Sequence, residues 1–365
     1  MVQHIFSQEK PVGDLELVMA FDGPMPTGVS ISHSGRIFVN FPRWDDPTDF
    51  TVAELREEHL HPYPTAEMQH TDTSDHSSAL LSVHSVVIDP LDRLWILDTG
   101  APQHRTTSYG GPKLVGVDLA QNRVIKTILF PREVALATTY LNDMRFDLRR
   151  GEQGMAFITD SAAQSNGIIV VDLASGQSWR RLHEHPSTKA EKGFLPIVEG
   201  QPLMLRPPDG PPQPYRSGVD GIAISHDGAR LFYSALMGRR LFSVSSDALV
   251  NRALDDATVA TTIVDEGDKG GGGDGMESDA GNCVYTTNYE HNAILRRQPD
   301  GLYETLVHDP RVLWPDTLSL ATDGYLYFTV NQLHRGPRFH QGKDLQERPF
   351  GLFRVRVDAS PVLLR

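Results

Sequence analysis

The sequence predicts an all-β fold, a six-bladed β-propeller built from residues 1–365 as one domain. Three observations predict it. One strand–turn–strand pattern recurs six times along the chain. Gly and Pro together make up about 15% of the residues, which favours many turns and short strands. Amphipathic helices of the kind a β/α barrel needs between its strands are nearly absent.

The six copies are residues 27–39 (TGVSISHSGRIFV), 84–97 (HSVVIDPLDRLWIL), 142–159 (NDMRFDLRRGEQGMAFIT), 220–234 (DGIAISHDGARLFYS), 274–286 (DGMESDAGNCVYT) and 316–329 (DTLSLATDGYLYFT). Each reads as a hairpin, with β-formers on either side of Ser-Gly, Asp-Gly or similar turns. Their starts are 57, 58, 78, 54 and 42 residues apart. A four-stranded blade takes about 40–50 residues, so some blades carry insertions. Third strands follow several copies, at 113–118, 167–172, 240–245 and 293–297. A late strand at 350–357 (FGLFRVRV) is expected to join 15–21 (LELVMAF) in one closing blade. Two inserts stand out. Residues 45–78 are polar, with a helix-like stretch at 52–59 and His59, His61, His70 and His76; residues 189–217 are proline-rich and read as an ordered surface loop or lid.

Composition narrows the partners. The net charge of −13 opposes nucleic acid and anionic membranes. No apolar run reaches the roughly 20 residues of a membrane span. The single cysteine, Cys283, allows neither an internal disulfide nor a cysteine-based zinc site, and its apolar strand suggests an inert buried thiol. Residues 1–10 lack the apolar core of a signal peptide. The default location is cytoplasmic, and a removed leader would instead make the protein secreted or periplasmic.

The copies align on the residue closing the first strand: Ser32, Asp89, Asp147, Ser225, Asp279 and Ala321. Five residues earlier lie Thr27, His84, Asn142, Asp220, Asp274 and Asp316. First strands line a propeller's channel, so equivalent positions form a ring. This ring has no apolar member. Converging carboxylates repel, and need a cation, shared protons or hydrogen-bond donors. Oxygen-rich sites suit calcium or magnesium, and a histidine shifts preference towards manganese or zinc or acts as a base. The alternative for each Asp alone is a turn cap or a bond to a neighbouring strand. Other signals read as structural. The glycine run 270–273 lacks a phosphate-loop ending and lets the backbone bend beside the channel. His183-Glu184-His185 reads as a solvated loop, and Asp98-Thr99-Gly100 and Thr159-Asp160-Ser161 as strand-ending turns.

The segments 38–44 (FVNFPRW), 62–64 (PYP), 94–100 (LWILDTG), 142–147 (NDMRFD), 158–161 (ITDS), 169–180 (IVVDLASGQSWR) and 314–316 (WPD) together resemble the yellow and major royal jelly protein family. The likeness runs over nearly the whole chain and implies a six-bladed propeller. That family includes dopachrome-converting proteins, amine binders and nutrient proteins, and its bacterial members are described as related to dopachrome tautomerase. A weaker likeness, carried by Asn142-Asp143, Asp220-Gly221 and Asp274-Gly275-Met276, is to gluconolactonase and regucalcin-like propellers. It implies a divalent metal, calcium foremost, held by Asp220, Asp274 and Asn142. Thr27 stands where that pattern has a glutamate, so His84 or Asp316 would have to take over.

These readings point to an enzyme acting on a small polar cyclic molecule, either by metal-assisted lactone hydrolysis or by dopachrome-like tautomerisation. Asp274, His84 and Asp143 are the candidate catalytic groups. His84 and Asp274 are expected two blades apart by way of Thr27, as acid and base across the ligand. Thr27, Asn142, Asp316, Trp44 and Trp314 are candidate substrate contacts, with Tyr63 and Tyr215 also near channel-side loops. The alternative is a non-catalytic binder of amines or other cations, held by the acidic ring and aromatic cages. An interaction scaffold is a third class.

Overall fold

The structure is a computed structural model and describes residues 10–72, 74–107 and 109–365. The reading of the N-terminal decapeptide therefore falls, Lys10 apart, outside the described residues. Six four-stranded antiparallel sheets follow one another in chain order. Their innermost strands are Gly28–Ile31, Val83–Ile88, Leu141–Asp147, Val219–Ile224, Met276–Ser278 and Pro315–Leu320, heading blades 1 to 6. Each of the six sequence copies supplies the two inner strands of one blade, and the third strands fall where expected. Blade 6 closes the ring. Its outermost strand, Glu16–Phe21, pairs antiparallel with Phe350–Arg356 from the other end of the chain. The sheets pack through apolar side chains lying between blades, such as Trp95 and Phe146 between blades 2 and 3.

The strand-closing residues turn out to brace the hairpins. Asp89 Oδ1 accepts from the backbone N–H groups of Leu91 and Arg93, Asp279 Oδ1 from Cys283, and Ser225 Oγ from Arg230. Each carboxylate or hydroxyl satisfies turn donors that would otherwise lack partners. Ala321 in blade 6 lacks such a side chain; in the other five blades this anchor gives the offset of five residues a common origin.

Two expectations need correction. The helix-like stretch at 52–59 is instead the third strand of blade 1, Val52–Arg56, followed by its fourth, His59–Pro62. Glu54 is buried against the guanidinium of Arg36, and Arg56 also bonds it, so a charge occupies a buried strand position and hides the alternation. The 45–78 stretch is thus partly blade. His84 and Asp274 belong to blades 2 and 5, which are three steps apart in either direction, so they lie across the axis from one another. The 189–217 stretch is ordered as expected, with two short hairpins, Ile197–Val198 with Gln201–Pro202 and Met204–Leu205 with Gln213–Pro214. Among the described residues no helix is long and apolar enough to cross a membrane.

Candidate active site

The inner strands lose their ladder at the ring. Pairing with the second strand skips His84 in blade 2, Asn142 and Asp143 in blade 3, Asp220 and Gly221 in blade 4, and Asp316 and Thr317 in blade 6. A bulge there re-aims side chains that a regular pleat would send between blades. Crowding at the axis explains the glycine after two of the ring aspartates. A Cβ on Gly221 would lie 2.4 Å from the Asp274 carbonyl oxygen, and one on Gly275 would lie 2.3 Å from that of Asp316. Hydroxyls on second strands bond inner-strand carbonyls of the next blade: Thr159 Oγ1 donates to the Asp220 carbonyl, at a bulge, and Thr329 Oγ1 to the Thr27 carbonyl.

Five of the six ring residues, His84, Asn142, Asp220, Asp274 and Asp316, line one cavity of about 530 Å³. All five are buried. Thr27 does not line it. Its Oγ1 donates to the His84 carbonyl and accepts from Asn40 Nδ2, so it joins blades 1 and 2. Asp143, one residue past the ring, is buried in an ion pair. Its Oδ2 accepts from Arg145 Nη1 at 3.0 Å and its Oδ1 from Ser85 Oγ at 2.7 Å. Trp314 is wholly buried behind the ring, stacked 4.2 Å from Tyr289, and donates Nε1–H to Asp274 Oδ2 at 2.8 Å. Its φ of 58° is a left-handed conformation that a bulky residue rarely adopts. Tyr63 lies away from the cavity, packed on Phe38.

The walls come from loops. Trp44 and Tyr215 line the cavity as the sequence reading placed them, together with Tyr140, His104 and Arg338, which it missed. Trp44 stacks on His104 with centroids 4.9 Å apart, and its Nε1–H donates to Tyr140 Oη at 2.7 Å. Tyr140 Oη lies 3.4 Å from His84 Nδ1. Tyr140 immediately precedes the inner strand of blade 3, so its position was available from the register. Arg338 sits in a 3-10 turn, Pro337–Phe339, inside the connection between the second and third strands of blade 6. No repeat marks that segment.

At the floor, Asn142 Nδ2 donates to Asp220 Oδ2 at 2.8 Å and Asn331 Nδ2 to Asp316 Oδ2 at 2.7 Å. Asp220 and Asp274 line the same cavity and act on one another electrostatically, so that a proton on either relieves their repulsion. Burial, then the neighbouring Asp274, pushes Asp220 well above the usual carboxylate range, and the same two causes raise Asp316. Burial pushes Asp274 up to about 6, against the hydrogen bonds from Asp220 and Trp314. Burial, helped by the Arg338 guanidinium, pushes His84 down to about 3, so its imidazole is neutral at physiological pH. Burial also raises Tyr140 and Tyr215, which remain phenols.

The donor set does not fit a divalent cation. Each ring carboxylate has an oxygen taken by an N–H or O–H donor, the amide of Asn142 presents its nitrogen to Asp220, and Thr27 occupies the place of the missing glutamate. Among the described residues, no three or more His, Cys, Asp or Glu side chains are arranged to hold a metal ion. The amide and indole N–H donors relieve part of the repulsion in this ring.

Cys283 is half-buried rather than buried, with Sγ 3.5 Å from Gln298 Oε1. Asp98 and Asp160 do cap turns, accepting from the N–H groups of Gly100 and Ala162, and each also binds a buried cation, Lys113 and Arg180. Of His183-Glu184-His185, the first two are exposed.

Comparison with known proteins agrees with this architecture. The family model described as major royal jelly protein matches residues 81–360. Major royal jelly protein 7 of Apis mellifera is 28% identical over 195 residues, 52% of this chain and 40% of that protein. Protein yellow of Drosophila guanche is 26% identical over 256 residues, 64% of this chain and 42% of that protein. The matched stretch thus spans less than half of these relatives' own length. Among solved structures, a calcium-binding regucalcin from Agrobacterium tumefaciens superposes with a TM-score of 0.55 at 13% identity, covering 96% of this chain and 98% of that one. A gluconolactonase from Xanthomonas campestris gives 0.52 at 12% identity, covering 96% and 98%. At such identities the likeness is one of fold.

Proposed function

The chain belongs to the major royal jelly protein family, and from the protonation pattern of its cavity we propose that it tautomerises a small polar cyclic carbonyl compound of the dopachrome type. One observation carries this reading: Asp220, Asp274 and His84 line one buried cavity, with Asp274 pushed up to about 6 and the neutral His84 in the opposite blade. A general base works best with a pKa close to the operating pH. Asp274 takes a proton from the carbon next to the substrate carbonyl. The C–H electron pair moves to the carbonyl oxygen, giving an enolate. A neutral imidazole donates a hydrogen bond to that oxygen without protonating it. The proton held by Asp274 then passes to a second position of the conjugated ring, and the enzyme is regenerated. Asp220 keeps its own proton throughout and tunes Asp274. Lactone hydrolysis, in the version that relies on a metal-activated water, is less well supported by this donor set.

The test is proton exchange. Wild-type protein is incubated in D₂O with dopachrome-type quinones, cyclic 1,3-diketones and γ- and δ-lactones, and each is followed by ¹H NMR. Loss of the C–H signal next to a carbonyl, abolished by Asp274→Asn, supports the reading. Lactone opening without exchange would count against it.

A specific observation also favours ammonium binding without turnover: three acidic groups lie beneath the rings of Trp44, Tyr140 and Tyr215. Tight amine binding together with no exchange on any of these compounds would put that reading first.

A further inference from the structure

Arg338 is the feature of the cavity that proton transfer leaves unexplained. Its guanidinium lies 4.8 Å from the centroid of Tyr215, 5.0 Å from that of Phe339 and 5.9 Å from that of Trp44. Three rings therefore fix its position. It makes one hydrogen bond, from Nη2 to Tyr215 Oη at 3.1 Å. Among the described residues no carboxylate lies within ion-pair distance of it, although Asp220, Asp274 and Asp316 line the same cavity. Its neighbour Arg335, by contrast, is paired with Glu199 at 2.6 Å. A guanidinium carries five N–H donors in a planar fork, so four of these point to no protein acceptor. None of its nitrogens is a buried atom lacking a partner, so these donors reach accessible space; Arg338 lines this cavity and also an adjoining one of about 150 Å³ that holds Asp45, Asp46 and Asp344.

A half-buried, pre-oriented and unpaired arginine at a cavity wall matches the geometry of a bidentate anion. The acidic floor sets a limit on that anion. It disfavours a dianion such as a phosphate monoester, and tolerates a singly charged carboxylate held away from it. Arg105 and Arg216, both exposed, line the same cavity and add positive charge on its solvent side. The cavity is thus polarised, with cations towards solvent and proton-bearing acids at the ring.

We propose that Arg338 is a specificity-determining residue that binds a carboxylate on the ligand, so that the substrates of this site are small cyclic carboxylates. This rests on the cavity being the ligand site named above. The carboxylate is bound at Arg338, the ring lies among Trp44, Tyr140 and Tyr215, and the reacting carbon is directed to Asp274. An ammonium ligand with no anionic group leaves Arg338 unpaired and meets its charge.

Three bicyclic probes of similar size separate these possibilities: indole-3-acetate, its methyl ester and tryptamine. Calorimetric titration of the wild-type protein is expected to show indole-3-acetate bound between about 10- and 100-fold more tightly than the ester. Arg338→Gln removes that preference, so that acetate and ester bind alike. Arg338→Lys, which keeps the charge but not the fork, retains only part of it. Indole-3-phosphate (indoxyl phosphate) is expected to bind more weakly than indole-3-acetate. Equal binding of acetate and ester, no binding of the acetate in the millimolar range, or tightest binding by tryptamine overturns the inference. The deuterium-exchange test does not depend on this outcome. Exchange by a protein indifferent to the carboxylate sinks this proposal alone, and an Arg338-dependent carboxylate preference without any exchange sinks the tautomerase reading alone.

Discussion

Asp274→Asn should make the protein more stable near neutral pH, and the gain should vanish in acid. In the folded protein Asp274 sits near 6, against an ordinary 3.8. A carboxyl raised on folding contributes most below the unfolded value, and that contribution is lost as the pH rises through the folded one. Between about pH 4 and about pH 7 the ionisation of Asp274 therefore costs the native state roughly 3 kcal/mol, an upper figure because Asp220 and Asp274 titrate together. Asparagine is neutral throughout, retains an oxygen to accept from Trp314 Nε1, and offers an N–H to Asp220. The assay is urea unfolding of both proteins followed by circular dichroism, at several pH values from about 4 to about 8. The difference between the two is the informative quantity, because His84 imposes a slope of opposite sign on both. The variant should lead by about 1–3 kcal/mol at the alkaline end and by little at the acid end. A variant less stable than wild type at about pH 8, or a difference that does not change with pH, would refute the account of a ring of mutually repelling carboxyls.

Further outcomes follow from the same geometry. His84 is held near 3 against an ordinary 6.5, so the stability it contributes at neutral pH drains away as the pH falls from 6.5 towards 3; His84→Gln should flatten the fall in melting temperature over that range, and an unchanged fall means the imidazole is not buried neutral. A chelator should leave the melting temperature of the purified protein unchanged, whereas a drop reversed by added calcium would restore the metal that the donor set argues against. Lys113 Nζ and Asp98 Oδ2 form a fully buried pair at 2.8 Å between the Arg93–Asp98 and Lys113–Asp118 strands. Lys113→Met strands the Asp98 charge and should cost about 3–5 kcal/mol in chemical unfolding, with ligand binding by the remaining folded protein intact; a loss of binding without loss of stability would give that motif a role in the site instead of the scaffold.

The ring was readable in the sequence because two local rules repeat. A side-chain-capped turn ends the inner strand in five of the six blades, Ala321 being the exception, and in four blades the ladder is interrupted at the ring position, where polar residues recur. Glycine follows Asp220 and Asp274 because the next blade's backbone leaves no room for a Cβ. The walls were less readable because Arg338 and His104 lie on connections that occur once, where no repeat fixes a direction. Even the register has a limit, seen two residues before the ring. Tyr140 precedes Asn142 by that offset, and Trp314 precedes Asp316 by the same one. Both were equally good candidates for the cavity wall. Tyr140 reaches the cavity, while Trp314 takes a left-handed φ of 58° and is buried behind the ring, between Tyr289 and His334. From there it bonds Asp274 through a single N–H. The sign of one dihedral angle thus accompanies the difference between a side chain that lines the cavity and one buried behind it. Neither residue type nor spacing carries that sign. The backbone conformation here is unfavourable for tryptophan, and the surrounding packing must hold it. That conformation is what lets the indole N–H reach Asp274 Oδ2 from behind the ring.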